Sequence, residues 1–133
     1  MKVTGHCHCG KIAYGAELDP SKVSICHCHD CQTLSGSAYR VSAPVRRERF
    51  TLLRGEPRIY VKTADSGNRR AHAFCGDCGA PVYSAAEHDT PAYSLRIGCL
   101  DQRDDLPPQR QIWCRSQVPW ASDLSQVPRI EGQ

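Results

Sequence analysis

Seven of the nine cysteines fall into three tight clusters, and their spacing constrains this chain more than any other feature. The clusters are Cys7-His8-Cys9-Gly10, Cys26-His27-Cys28-His29-Asp30-Cys31 and Cys75-Gly76-Asp77-Cys78-Gly79, with Cys99 and Cys114 standing alone. An odd number of thiols cannot pair completely within one chain. No apolar run approaches the roughly 20 residues of a membrane span, and Met1-Lys2-Val3-Thr4-Gly5-His6 lacks the apolar centre of a signal peptide. A cytoplasmic location is therefore expected, and in a reducing compartment clustered cysteines argue for metal rather than for disulfides.

Cys7, Cys9, Cys75 and Cys78 would supply four thiolates, enough for a closed tetrahedral structural zinc. In both short motifs a glycine follows the second cysteine, where a metal-binding turn tends to need positive φ and lets backbone N–H groups approach sulfur. Joining positions so far apart in sequence would offset about 3 to 4 kcal/mol of loop-closure entropy. The middle cluster differs. Cys26 and Cys28 share a face of an extended chain, and Cys28 and Cys31 share a face of one helical turn, so a strand-to-helix junction would converge three sulfurs. Three ligands with one position open is the arrangement of a catalytic zinc. Cys99, His72 and His88 are candidates for closing it. Two zinc ions per chain are expected.

The rest of the sequence reads as short strands. Alternating segments occur at Lys11–Tyr14, Tyr39–Ser42, Phe50–Leu53, Arg58–Val61, Ala80–Tyr83, Tyr93–Ile97 and Gln109–Cys114, separated by turn signals such as Leu53-Arg54-Gly55-Glu56-Pro57. One helical turn is predicted from Asp30 towards Leu34, stopped by Gly36. The expected class is mainly β, with antiparallel sheets in a single domain over residues 1–133. From about residue 118 a Pro- and Ser-rich tail is expected to pack on the body through Trp113 and Trp120. An apolar fraction of 40% is modest, so metal or an oligomer would have to supplement the core, and a homodimer is left open.

Alternative roles for the motifs are weaker. A thioredoxin-type Cys75-Gly-Asp-Cys78 should open a helix, whereas Gly79-Ala80-Pro81-Val82-Tyr83 reads as turn and strand. His6, His8, His27 and His29 alternate with cysteines and should face away from the metal, towards supporting or solvent positions. Arg46, Arg47 and Arg49 read as a solvated run. The net charge of +3, from 17 basic and 14 acidic residues, argues against nucleic acid while permitting an anionic ligand.

Three motifs in order then carry a resemblance: G-x-C-x-C-G from Gly5 to Gly10, C-H-C-x-x-C-Q from Cys26 to Gln32, and F-C-x-x-C-G-x-P from Phe74 to Pro81. With Arg96-Ile97-Gly98-Cys99-Leu100-Asp101 and Trp120, the pattern resembles the glutathione-dependent formaldehyde-activating enzymes, a family that includes centromere protein V. The resemblance implies a zinc-stabilised β-tent fold, a structural zinc on Cys7, Cys9, Cys75 and Cys78, and a catalytic zinc on Cys26, Cys28 and Cys31. It also implies a carbon–sulfur lyase chemistry joining glutathione, or a thiol like it, to formaldehyde or a related aldehyde.

The donor set agrees with thiol chemistry. Three thiolates on a divalent ion leave a formal charge of −1, which disfavours water activation compared with histidine-ligated zinc. An incoming thiol would ionise on coordination and stay nucleophilic. Arg40, Arg69 and Arg70 are candidates for a substrate carboxylate. The competing readings are a non-enzymatic zinc module for protein or nucleic acid, and a lyase or binder of another thiol adduct.

Overall fold

Alternation of inward and outward side chains resolves into ten strands and one helix in the computed structural model, which describes all 133 residues. In chain order these are β1 (Lys2–His6), β2 (Ala13–Glu17), β3 (Ser24–Cys26), α1 (His29–Ser35), β4 (Arg40–Arg46), β5 (Phe50–Arg54), β6 (Arg58–Thr63), β7 (Arg69–Phe74), β8 (Pro81–Ala86), β9 (Ala92–Arg96) and β10 (Arg110–Ile112). Strands β1-β2-β5 form a small sheet, and β10-β3-β4-β9-β8-β7-β6 a large one.

The core lies between apolar faces of both sheets. Val3 and Tyr14 from the small sheet meet Ala43, Val45, Val82 and Leu95 from the large one, all of them buried. Tyr14, Phe50, Tyr83 and Tyr93 form an aromatic chain with centroid separations of 4.6–5.5 Å, inside the range where tilted pairs attract. The sheets also meet at an edge, where Asp101 N–H donates to the Thr4 carbonyl at 2.9 Å and Thr4 Oγ1 donates to the Asp101 carboxylate at 2.6 Å.

Pairing fixes the opposite face of the large sheet. Residues directly across a ladder share a face. Cys26 pairs with Arg40, Ser42 with Arg96, Ser84 with both Ser94 and His72, and His72 with Tyr60. This face is polar and cationic, whereas its reverse, carrying Ala43, Leu95 and Ala73, is the core.

Several elements depart from the sequence expectation for identifiable reasons. The first predicted strand begins at Ala13 rather than Lys11, because Lys11 and Ile12 close the first cysteine turn: Cys7 N–H donates to the Ile12 carbonyl at 3.1 Å. Strand β4 runs on through Pro44, which is tolerated because β3 pairs only as far as Ser42 and leaves that N-side unpartnered. Strand β7 has no counterpart in the sequence reading, since Arg-Arg-Ala-His-Ala lacks the β-branched residues that mark strands. The sheets are not wholly antiparallel, since β10 returns over the surface to pair parallel with β3. Trp113 and Trp120 do not anchor the tail, being 51% and 61% exposed; Trp113 is covered instead by Arg115, whose guanidinium lies 4.6 Å from a ring centroid. No helix is long and apolar enough to cross a membrane.

Candidate metal centres

The two short cysteine motifs occupy corresponding turns, one leaving β1 and one joining β7 to β8, and they meet where the sheets converge. Gly10 and Gly79 adopt φ of +80° and +77°, the left-handed conformation predicted for the residue after each second cysteine. The second turn repeats the hydrogen bonding of the first, with Cys75 N–H donating to the Ala80 carbonyl at 2.9 Å. Lys11 forms an ion pair with Asp77 across the two turns.

The Sγ atoms of Cys7, Cys9, Cys75 and Cys78 all lie within 4.8 Å of one another. A regular tetrahedron with metal–sulfur bonds of about 2.3 Å has edges of about 3.8 Å. The Cys7–Cys9 and Cys9–Cys75 sulfur separations are 3.6 and 3.7 Å. The Ile12 N–H donates to Cys7 Sγ at 3.3 Å, a contact that favours thiolate. Backbone N–H groups of Ala80 and Cys9 lower the Cys78 thiol to about 6. At Cys9 the Lys11 N–H acts in the same direction, but burial and the neighbouring thiols outweigh it and push the group up to about 11. Crowded sulfurs that cannot all ionise together would be stabilised by a bound cation, and four thiolates are a donor set that fits zinc.

The second cluster forms at the junction that the sequence predicted. Strand β3 ends at Cys26, Cys28 is the N-cap of α1, and Cys31 lies in the first helical turn, with its N–H donating to Cys28 Sγ at 3.2 Å. Gly36, at φ +62°, ends the helix one residue beyond Ser35. The three sulfurs lie within 4.8 Å of one another. Burial pushes the Cys31 thiol up, with Arg40 acting in the opposite sense. No fourth residue joins: Cys99 instead donates to the Pro81 carbonyl at 3.0 Å, His72 faces Arg96, and His88 is paired with Glu87.

The remaining candidates separate by position. His8 and His29 are exposed, and His6 contacts Asp101 at 3.1 Å. His27 is only 1% exposed, with Nε2 2.7 Å from Gln111 Oε1; it stands behind the second cluster and ties β10 to the loop between β3 and α1. Gln32 reinforces that tie by donating to the His27 and Ser116 carbonyls at 2.8 and 3.0 Å. Among the arginines, Arg69 is exposed and paired with Glu87. Arg40 is buried, and Arg70 is half-buried beside Ser84. Sequence reasoning missed Arg96 as a candidate. Its one signal was a charged residue set between Leu95 and Ile97, both of which are buried.

Arg40, His72 and Arg96 line a cavity of about 360 Å³ on the polar face of the large sheet, walled otherwise by Leu34, Phe74 and Pro81 among others. Burial, followed by the charges of Arg96 and Arg40, lowers His72 to about 4. Burial and then Arg40 hold Arg96 well below the ordinary guanidinium range.

Two packed β-sheets, a four-sulfur cluster between them and a three-sulfur cluster at a strand–helix junction define a cysteine-organised β protein with two potential metal sites. The glutathione-dependent formaldehyde-activating enzyme family matches residues 2–116, and the chain belongs to that family. A crystal structure of a Rhodobacter sphaeroides protein shares the fold, with a TM-score of 0.63 over 81% of this chain and 98% of that one, at 20% identity. No curated protein matches.

Proposed function

We propose that the chain is a zinc-dependent enzyme of carbon–sulfur lyase type, adding glutathione or a similar thiol to formaldehyde or a related aldehyde. Cys7, Cys9, Cys75 and Cys78 would hold a structural zinc, and Cys26, Cys28 and Cys31 a catalytic one. Residues 1–133 would act as one domain in the reducing cytoplasm, where its nine unpaired thiols stay reduced. The observation that carries this reading is the contrast between the clusters: four sulfurs close one, whereas three converge in the other with no fourth side chain.

When bound at the second cluster, the metal would supply an electrophilic position that favours the thiolate form of an incoming thiol. The chain's own residues prepare that position. The turn from β3 into α1 converges the three sulfurs, and the Cys31 N–H supports Cys28. His27, Gln32 and Gln111 brace the loop from behind. Lys62, paired with Asp30 at 2.5 Å, places a positive charge near Cys28. In the overall reaction the thiol sulfur bonds to the aldehyde carbon and the carbonyl oxygen takes up the proton that the thiol loses, so no oxidant is consumed.

Exchange NMR on an equilibrium mixture of glutathione and formaldehyde tests this reading. Zinc-loaded protein is expected to accelerate exchange, and Cys28→Ala to abolish the acceleration while the four-sulfur site stays occupied. No acceleration at any protein concentration would refute it.

A further inference from the structure

Arg40 and Arg96 are 8% and 5% exposed, and neither has an acidic residue within ion-pairing distance. Buried charges are ordinarily paired, because removing a guanidinium from water is costly unless an anion compensates it. Lys62 and Arg69 of the same sheet, which are less buried, are by contrast paired with Asp30 and Glu87. The two arginines instead sit on strands β4 and β9, on the cavity-facing side of the sheet, with Arg40 directly across the ladder from Cys26. No acidic residue lines the cavity.

His72 extends the pattern. Arg96 Nη2 lies 3.4 Å from His72 Nδ1, and a guanidinium has no lone pair to offer, so Nδ1 must accept and the imidazole proton must reside on Nε2. That Nε2–H is buried without a partner, as is Arg96 Nε. Orphaned donors of this kind are uncommon in folded proteins and point to a missing acceptor. Two guanidinium groups and one N–H therefore converge on a partly apolar cavity whose Arg40 is the ladder partner of Cys26 in the three-sulfur cluster.

We propose that Arg40, Arg96 and His72 form the subsite for a carboxylate carried by the thiol substrate, so that the acid group is held here while the sulfur reaches Cys26, Cys28 and Cys31. This rests on the open thiol site proposed above. It replaces Arg69 as a binding candidate, because that guanidinium is already occupied by Glu87 and strand alternation puts it on the face opposite His72. The acid is bound for recognition and positioning; no bond to it forms or breaks.

The test is calorimetric titration of the zinc-loaded full chain with ω-mercapto acids of three to six carbons, each compared with its primary amide. Exchanging the carboxylate for an amide removes the charge-assisted hydrogen bonds and should weaken binding about 10- to 100-fold at the best-fitting length. Arg96→Met and Arg40→Met should bring the acid-to-amide ratio close to one, because the acid loses a charge-assisted contact and the amide only a neutral one. His72→Phe keeps both guanidinium groups, and so the charge around the cluster, and should reduce the ratio about 5-fold with unchanged metal content; it decides the matter if an arginine variant sheds metal. Equal binding of acid and amide at every length, or an unchanged ratio in His72→Phe and the arginine variants, would overturn the subsite and leave the thiol reading intact. If neither acid nor amide binds and glutathione–formaldehyde exchange is not accelerated, the thiol reading itself fails and the subsite falls with it.

Discussion

Removing the four-sulfur clip should cost more than removing the three-sulfur site, by an amount set mainly by chain topology. Cys9 and Cys75 are 66 residues apart, whereas Cys26 and Cys31 lie within one local segment. Chain-entropy scaling gives about 4 kcal/mol for closing a loop of the first size and about 2 kcal/mol for one of about five residues, so the difference is about 2 kcal/mol. The double variant Cys9→Ala with Cys78→Ala leaves the buried sulfurs of Cys7 and Cys75 in place and so avoids a core cavity. The matching variant is Cys26→Ala with Cys28→Ala. Cys28 also caps α1, worth about 1 kcal/mol, and the packing of Cys78 against the core is a comparable incidental loss. Urea unfolding followed by circular dichroism, with metal content measured on the same samples, reads both. Total stability of a small domain is about 5–15 kcal/mol, so the clip variant should lose a large share of it and unfold at a lower urea midpoint than the second variant. Equal destabilisation of the two, or a clip variant within about 1 kcal/mol of the wild type, would refute the idea that the clip acts by tying the two sheets together.

Gly79→Ala meets no atom within 4 Å, so its cost should be conformational only, about 1–2 kcal/mol for forcing a Cβ into the left-handed region, read as a lower urea midpoint with unchanged slope. His72 is held neutral at about 4 when folded and titrates near 6.5 when unfolded, so acid protonates the unfolded chain first and stability falls as pH drops through that window. Between pH 7 and 5 the linkage amounts to about 2 kcal/mol, reduced to about 1 kcal/mol by solvent screening of a partly exposed ring; His72→Asn should lose this slope, and an identical pH profile would refute it. Arg69→Ala should change stability by less than about 0.5 kcal/mol, since its partner contact is at the surface, and should leave ligand affinity unaltered in the same titrations. Chelation of the metal should abolish exchange catalysis at the second cluster before the fold is lost, observed as activity disappearing ahead of the circular-dichroism transition.

The local chemistry was legible in the sequence because it is carried by short spacings. Both second-cysteine glycines take the left-handed backbone expected of them, α1 stops at Gly36, and Cys26, Cys28 and Cys31 converge at a strand–helix junction. These outcomes depend on a few neighbouring residues, whose φ/ψ preferences and side-chain directions are set within one turn. The meeting of Cys7 and Cys9 with Cys75 and Cys78 was also foreseen, since four thiolates complete one tetrahedral set.

The cationic cavity belongs to the tertiary structure. Arg69 and Arg70 are adjacent in sequence, yet strand alternation sends the first out to Glu87 and the second to the side carrying Ser84. Arg40 and Arg96 approach only because β4 pairs antiparallel with β9 in a register that aligns Ser42 with Arg96, and a slip of one residue would turn one of them to the core face instead. The parallel return of β10 is likewise a long-range pairing, with no local signal to distinguish it from an antiparallel strand. Cysteine spacing thus determined where metal could be held, because ligation is specified over a few residues. Strand register decided which charges surround the second cluster, because each paired residue comes from a segment whose own sequence says nothing of its neighbour.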